Sequence, residues 1–114
     1  MKTSELRGTA LDWAVANCEG WKRELCYLNT EYPNYSENWS LAGPIIEREK
    51  IGVWFSDLVI DAETDEVVRG ETWYAEGGDG DYVQTGATPL IAAMRCYVAS
   101  KLGDEVQIPE ELTL

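Results

Sequence analysis

The sequence predicts a single α+β domain, a small antiparallel sheet with a central hairpin covered by about three helices. Three observations carry this. Segments near each end place apolar residues at helical spacing behind a capping residue. The stretch from Ile51 to Ala75 alternates β-forming runs with a polar turn. A chain of 114 residues with 45% hydrophobic residues holds enough apolar material for one modest core and leaves no room for a second.

Taken in order, Thr9 followed by Asp12 looks like an N-cap with an acidic partner, and Leu11, Ala14, Val15 and Cys18 follow at i, i+3, i+4 and i+7 before Gly20. This predicts a helix over about 9–19. Trp21 to Leu28 is apolar but mixed in period, so a strand near Glu24–Leu28 and a loop over Asn29–Asn38 are expected. Because proline is tolerated in the opening turn of a helix, Gly43-Pro44 predicts a short helix that it either starts or lies just inside, running to about Lys50. Val53 to Ile60 and Val67 to Ala75, around the turn Asp61–Asp65, read as a β-hairpin, and the glycine-rich tract 77–81 as a connection. Thr88 as N-cap, Pro89 at N1, the apolar face Leu90, Ile91, Met94, Val98 and Leu102, and Gly103 as stop define a last helix. Opposite that face, the small residues Ala92, Cys96 and Ala99 either admit another element or subunit, which leaves room for a homo-oligomer, or face solvent. Val106–Ile108 could add a short edge strand ended by Pro109.

Composition excludes several function classes. The chain has no histidine, which removes the commonest general base, the usual catalytic triads and the most frequent transition-metal ligand. Three cysteines, Cys18, Cys26 and Cys96, form no CxxC pair and read as buried free thiols. Carboxylates two apart, such as Glu47/Glu49 or Asp79/Asp81, lack the spacing for a shared helix face, and the 79–81 tract lacks a calcium-loop pattern. No catalytic residue, metal site or cofactor is therefore expected. No apolar run is long enough for a membrane span, and the N-terminal stretch has no secretory pattern, so a cytoplasmic protein is expected. The net charge of −12 is concentrated in the second half, where Asp57 to Asp81 carries nine carboxylates against Arg69 alone; direct binding to nucleic acid would be repelled.

Three stretches resemble the NinX family of bacteriophage proteins. They are Tyr35-Ser36-x-x-Trp39-x-x-x-Gly43-Pro44-Ile45-Ile46-Glu47, the run Thr88-Pro89-Leu90-Ile91-Ala92-Ala93-Met94-Arg95 continuing through Gly103-Asp104-Glu105-Val106 to Pro109, and Leu11-Asp12-x-x-Val15-Ala16. The segment 57–86 departs most from the family, being longer and more acidic. The resemblance implies a phage accessory protein acting in the host cell without established enzyme activity. A more distant likeness to small phage αβα sandwich domains agrees with a sheet covered by helices.

Two sites follow as alternatives, the anion pocket ahead of the acidic surface. Helix starts offer free backbone N–H groups to anions, so Gly43 and Thr88, with Ser36, Arg48 or Arg95 nearby and Tyr32, Tyr35 and Trp39 as stacking platforms, would form a pocket for a small nucleotide-like anion if the fold brings them together. The plainer reading is that both prolines start helices and the aromatics pack in the core. Arg95, at the margin of the last helix's apolar face, either pairs with a carboxylate such as Glu47 or points into a pocket. The other site is the acidic stretch with Asp57, Asp61, Glu63, Asp65 and Glu66, a contact surface imitating a phosphate backbone for a basic host protein.

Overall fold

The computed structural model describes residues 1–20, 33–61, 63–77 and 82–109, and its fold is α+β. After a 3-10 turn at Thr3–Glu5, the elements are α1 (Gly8–Cys18), α2 (Trp39–Glu49), β1 (Gly52–Ile60), β2 (Val67–Glu76), β3 (Val83–Gly86) and α3 (Pro89–Leu102). The strands form one antiparallel sheet in the order β1-β2-β3. The strand predicted near 24–28 lies outside the described residues.

Helix α3 starts as its sequence dictates, with the Thr88 side chain accepting the Ile91 N–H at 3.2 Å and Pro89 in the first turn. It packs on all three strands, on α1 and α2, and on the N-terminal turn. Its burial follows from that position: Leu90, Ala92, Ala93, Met94, Cys96, Tyr97, Val98 and Ala99 are all buried, so the helix is enclosed almost all round rather than on one stripe. The small residues Ala92, Cys96 and Ala99 therefore lie inside the domain, whereas Leu102 of the predicted apolar face is exposed. Gly86 shows how close the contact is, because a Cβ there would lie 2.7 Å from the Ala92 nitrogen and 2.8 Å from the Ile91 side chain.

The other two helices differ from expectation at their starts. Helix α1 begins at Gly8 behind Arg7, which makes no side-chain cap, so Thr9 lies inside the helix. Asp12 is spent elsewhere: its Oδ1 accepts the Ser36 N–H at 2.8 Å and ties the approach of α2 to α1. Helix α2 begins at Trp39, so Gly43-Pro44 lies inside it rather than starting it. Asn38 is its cap, accepting the Ser40 N–H at 2.9 Å, and Pro44 lies in the second turn. The asparagine cap outweighed the proline signal. The helix ends on Lys50 in the left-handed conformation (φ 55°), from which the chain turns directly into β1.

β3 was not foreseen, being four residues long and set behind a glycine-rich tract. Residues 106–108 form no strand; instead Lys2 and Glu105 make an isolated bridge, and Met1 and Val106 exchange N–H···O contacts that hold the two ends together.

The hairpin matches its prediction closely. Gly52 pairs with Glu76 and Ile60 with Val67, with the register shifting between Ser56 and Leu58. β3 pairs only with Trp73–Glu76. Ser56–Ile60 and Val67–Thr72 therefore run past the third strand as a two-stranded arm, and the molecule measures 46 × 30 × 22 Å.

Candidate functional site

The hairpin that carries the arm is built from cross-strand pairs that leave much apolar surface in water. Trp54 stacks on Tyr74 (centroids 5.6 Å apart, planes 7° apart), and Phe55 meets Trp73 at 5.3 Å at a tilt. Trp54, Phe55, Leu58 and Val67 nevertheless remain 42%, 49%, 53% and 64% exposed. At the register shift the Ser56 hydroxyl donates to the Leu58 carbonyl (2.7 Å) and accepts the Leu58 N–H (3.2 Å), closing off backbone groups that a neighbouring strand could use. The tip is a defined turn: the Asp61 N–H donates to the Glu66 carbonyl and the Asp65 N–H to the Asp61 carbonyl, both at 2.8 Å. The Asp61 carboxylate accepts the Glu63 N–H, and Asp65 is left-handed (φ 56°). Asp57, Glu63, Asp65 and Glu66 are exposed and Asp61 half-buried, so all five acidic residues nominated from sequence lie on the arm or its tip.

The root of the arm has the opposite character. There the Arg48 guanidinium grips both Glu19 oxygens (2.8 and 3.3 Å), donates to Glu49 (2.9 Å) and to the Tyr97 hydroxyl (3.1 Å), and lies 5.7 Å from the Tyr97 ring centroid. Tyr97 donates to Glu19 at 2.6 Å, and Lys101 pairs with Glu49 at 3.3 Å. This node fastens the ends of α1 and α2 to α3. Arg48 holds the Glu19 and Glu49 carboxyls below their ordinary value, while burial, reinforced by the bond to Glu19, pushes the Tyr97 phenol up. Beside it opens a cleft of about 420 Å³ lined by Lys50, Ile51, Gly77, Tyr82, Tyr97 and Lys101 among others. At this root Arg48, Lys50 and Lys101 outnumber Glu19 and Glu49 by one, a slight basic excess in an acidic molecule, and the proximity of Arg48 to Lys50 in sequence was the available signal for it.

The residues nominated for an anion pocket are dispersed over other tasks. Tyr35 and Ser36 are buried, and Ser36 is bonded to Asp12. Trp39 is 56% exposed at the true start of α2, and Gly43 is within that helix, not ahead of it. Thr88 caps α3, and Arg48 is held in the node. Arg95 pairs with neither Glu47 nor a pocket; its Nε donates to the Leu6 carbonyl at 2.7 Å and its Nη1 to the Thr85 carbonyl at 2.8 Å, joining α3 to the N-terminal segment and to β3. Tyr32 lies outside the described residues. Burial raises the Cys18 thiol to about 12, so this free cysteine is a poor nucleophile. Among the described residues no group of three or more Cys, Asp or Glu side chains is placed to hold a metal ion, and no helix is long and apolar enough to cross a membrane.

A central helix enclosed by a three-stranded sheet and two further helices, with an acidic arm and a basic root, defines a small α+β domain whose distinctive chemistry is on its surface. The family model described as Bacteriophage P22, NinX matches residues 2–101, and the chain belongs to that family. No curated protein matches it.

Proposed function

We propose that this phage accessory protein is a non-enzymatic binding protein that acts inside the host cell, docking its acidic hairpin arm on a basic host protein that handles nucleic acid. The observation that carries this reading is the hairpin, whose arm projects past β3 with exposed Leu58 and Val67 beside Asp57 and an acidic tip, and whose base leaves Trp54 and Phe55 exposed. Exposed apolar side chains on the two faces of the hairpin, edged by like charges, suit a partner that supplies both a hydrophobic contact and cations. Where that partner belongs to a host defence system, the same contact serves counter-defence by occupying its nucleic-acid groove.

Capture from host lysate, with bound proteins identified by mass spectrometry, tests it. A nucleic-acid-binding protein should be retained at low salt, released by duplex DNA as competitor, and lost to a Glu63→Lys/Glu66→Lys chain. Retention that ignores salt, DNA and the charge reversal would sink the reading.

A small nucleotide-like anion is the second reading, now favoured at the cleft rather than at the helix starts, because Lys50 and Lys101 line a space of about 420 Å³. Thermal shift with a panel of mono-, di- and cyclic nucleotides separates it from the first: a shift abolished by Lys50→Glu supports the cleft, and flat curves remove it.

A further inference from the structure

We infer that two copies of the chain associate through their arms, side by side and antiparallel, so that the acidic turn of each docks at the basic cleft at the root of the other. The connectivity of β1 supplies the geometry. Lys50 stands two residues before this strand and Asp61 one residue after it, so the root and the acidic turn lie at its opposite ends. Laying β1 against a two-fold copy, with Gly52 beside Ile60 of the other chain, brings each Asp61–Glu66 turn to the other's Lys50 and Lys101. The axis falls near Ser56, and Trp54 of one copy meets Leu58 of the other. Both are large apolar side chains that the single domain leaves in water.

The sheet order leaves the outer edge of β1 without a partner strand among the described residues. Ser56 already occupies the Leu58 backbone groups, so side chains rather than a continuous ladder make the joint at its centre.

Charge decides the orientation. Each copy carries −12, and a parallel or tip-to-tip arrangement would bring the two acidic turns together. The antiparallel one separates them by the length of a nine-residue strand, about 30 Å, several Debye lengths at physiological salt. It also sets each turn against a surface where Lys50, Lys101 and Arg48 outnumber Glu19 and Glu49. Lys50 makes no ion pair among the described residues, so it is free to meet the turn. The inference does not rest on the host-partner reading, because it concerns the purified protein alone.

Sedimentation velocity across a wide concentration range tests it with two charge-reversed chains, Lys50→Glu/Lys101→Glu and Glu63→Lys/Glu66→Lys. The native protein should sediment as a dimer, and each reversed chain alone should show a dimer Kd raised at least about tenfold. An equimolar mixture of the two should dimerise again, since each turn then meets a cleft of opposite sign. That recovery shows both chains to be folded. A native protein that stays monomeric throughout, reversed chains that dimerise like the native one, or a mixture that stays monomeric would each overturn the inference.

Discussion

Arg95 shows how a residue with an ambiguous sequence signal acquires one meaning from packing. Half-buried on α3, it spends its guanidinium on two main-chain carbonyls from segments 79 residues apart, Leu6 and Thr85. Burial lowers its pKa from the ordinary arginine value, yet an arginine stays charged, so removing it strands two carbonyls at once. Arg95→Met should lower the unfolding free energy in urea by about 2–4 kcal/mol, with Arg95→Lys recovering part of the loss. The Arg48 node gives a pH prediction with a definite sign. Glu19 and Glu49 titrate below their ordinary 4.5 in the folded state, so their contribution is present above 4.5 and is lost as pH falls through the lowered values. Asp12 runs the other way, since burial raises its carboxyl above 3.8 and the cost it imposes near neutrality is relieved in acid. Arg48→Met should therefore flatten the acid limb of a stability-versus-pH curve while costing about 1 kcal/mol at pH 7; an unchanged acid limb would show that the node is not coupled to folding.

At the scale of elements, α3 and the hairpin were legible because their signals are local and agree with one another. Thr88-Pro89 and Gly103 bracket a run without competing breakers, and the polar turn Asp61–Asp65 separates two β-forming stretches. The start of α2 stayed open in the sequence because Asn38 and Pro44 both signal a helix start six residues apart, and only the fold shows which one prevails. Gly43 therefore sits mid-helix, with nothing within 4 Å of where a Cβ would stand. Gly43→Ala should stabilise the protein by about 0.5–1 kcal/mol in thermal or urea unfolding, whereas a glycine needed at a helix start for anion approach would show no such gain. Gly86 predicts the reverse. A methyl group there meets the backbone of α3, and Gly86→Ala should cost about 1–3 kcal/mol through forced separation of β3 from the helix.

Over the whole molecule, two distributions matter: apolar burial centred on α3 and charge divided between an acidic arm and a basic root. The described ion pairs lie at the surface, with the Arg48 and Lys101 side chains about half exposed, so they contribute little stability for salt to screen away. Self-repulsion of a −12 chain is the larger and longer-ranged effect, and raising ionic strength from about 10 to 150 mM should raise Tm, as scanning calorimetry would record. A fall in Tm over that range would mean that the Arg48 node outweighs the excess of carboxylates.

The amino-acid order alone settled the α+β class, the hairpin, the last helix and the concentration of negative charge, since each depends on residues close together in the chain. The positions of Arg95 and Ser36, the enclosure of α3 and the cleft beside Lys50 depend on contacts between residues tens of positions apart. No local pattern specifies such contacts, because they are set by which segments fill the space around a common core. The same holds for the functional surface: the five acidic residues were visible as a cluster, but their placement on an arm, opposite a basic root, is a property of the folded chain.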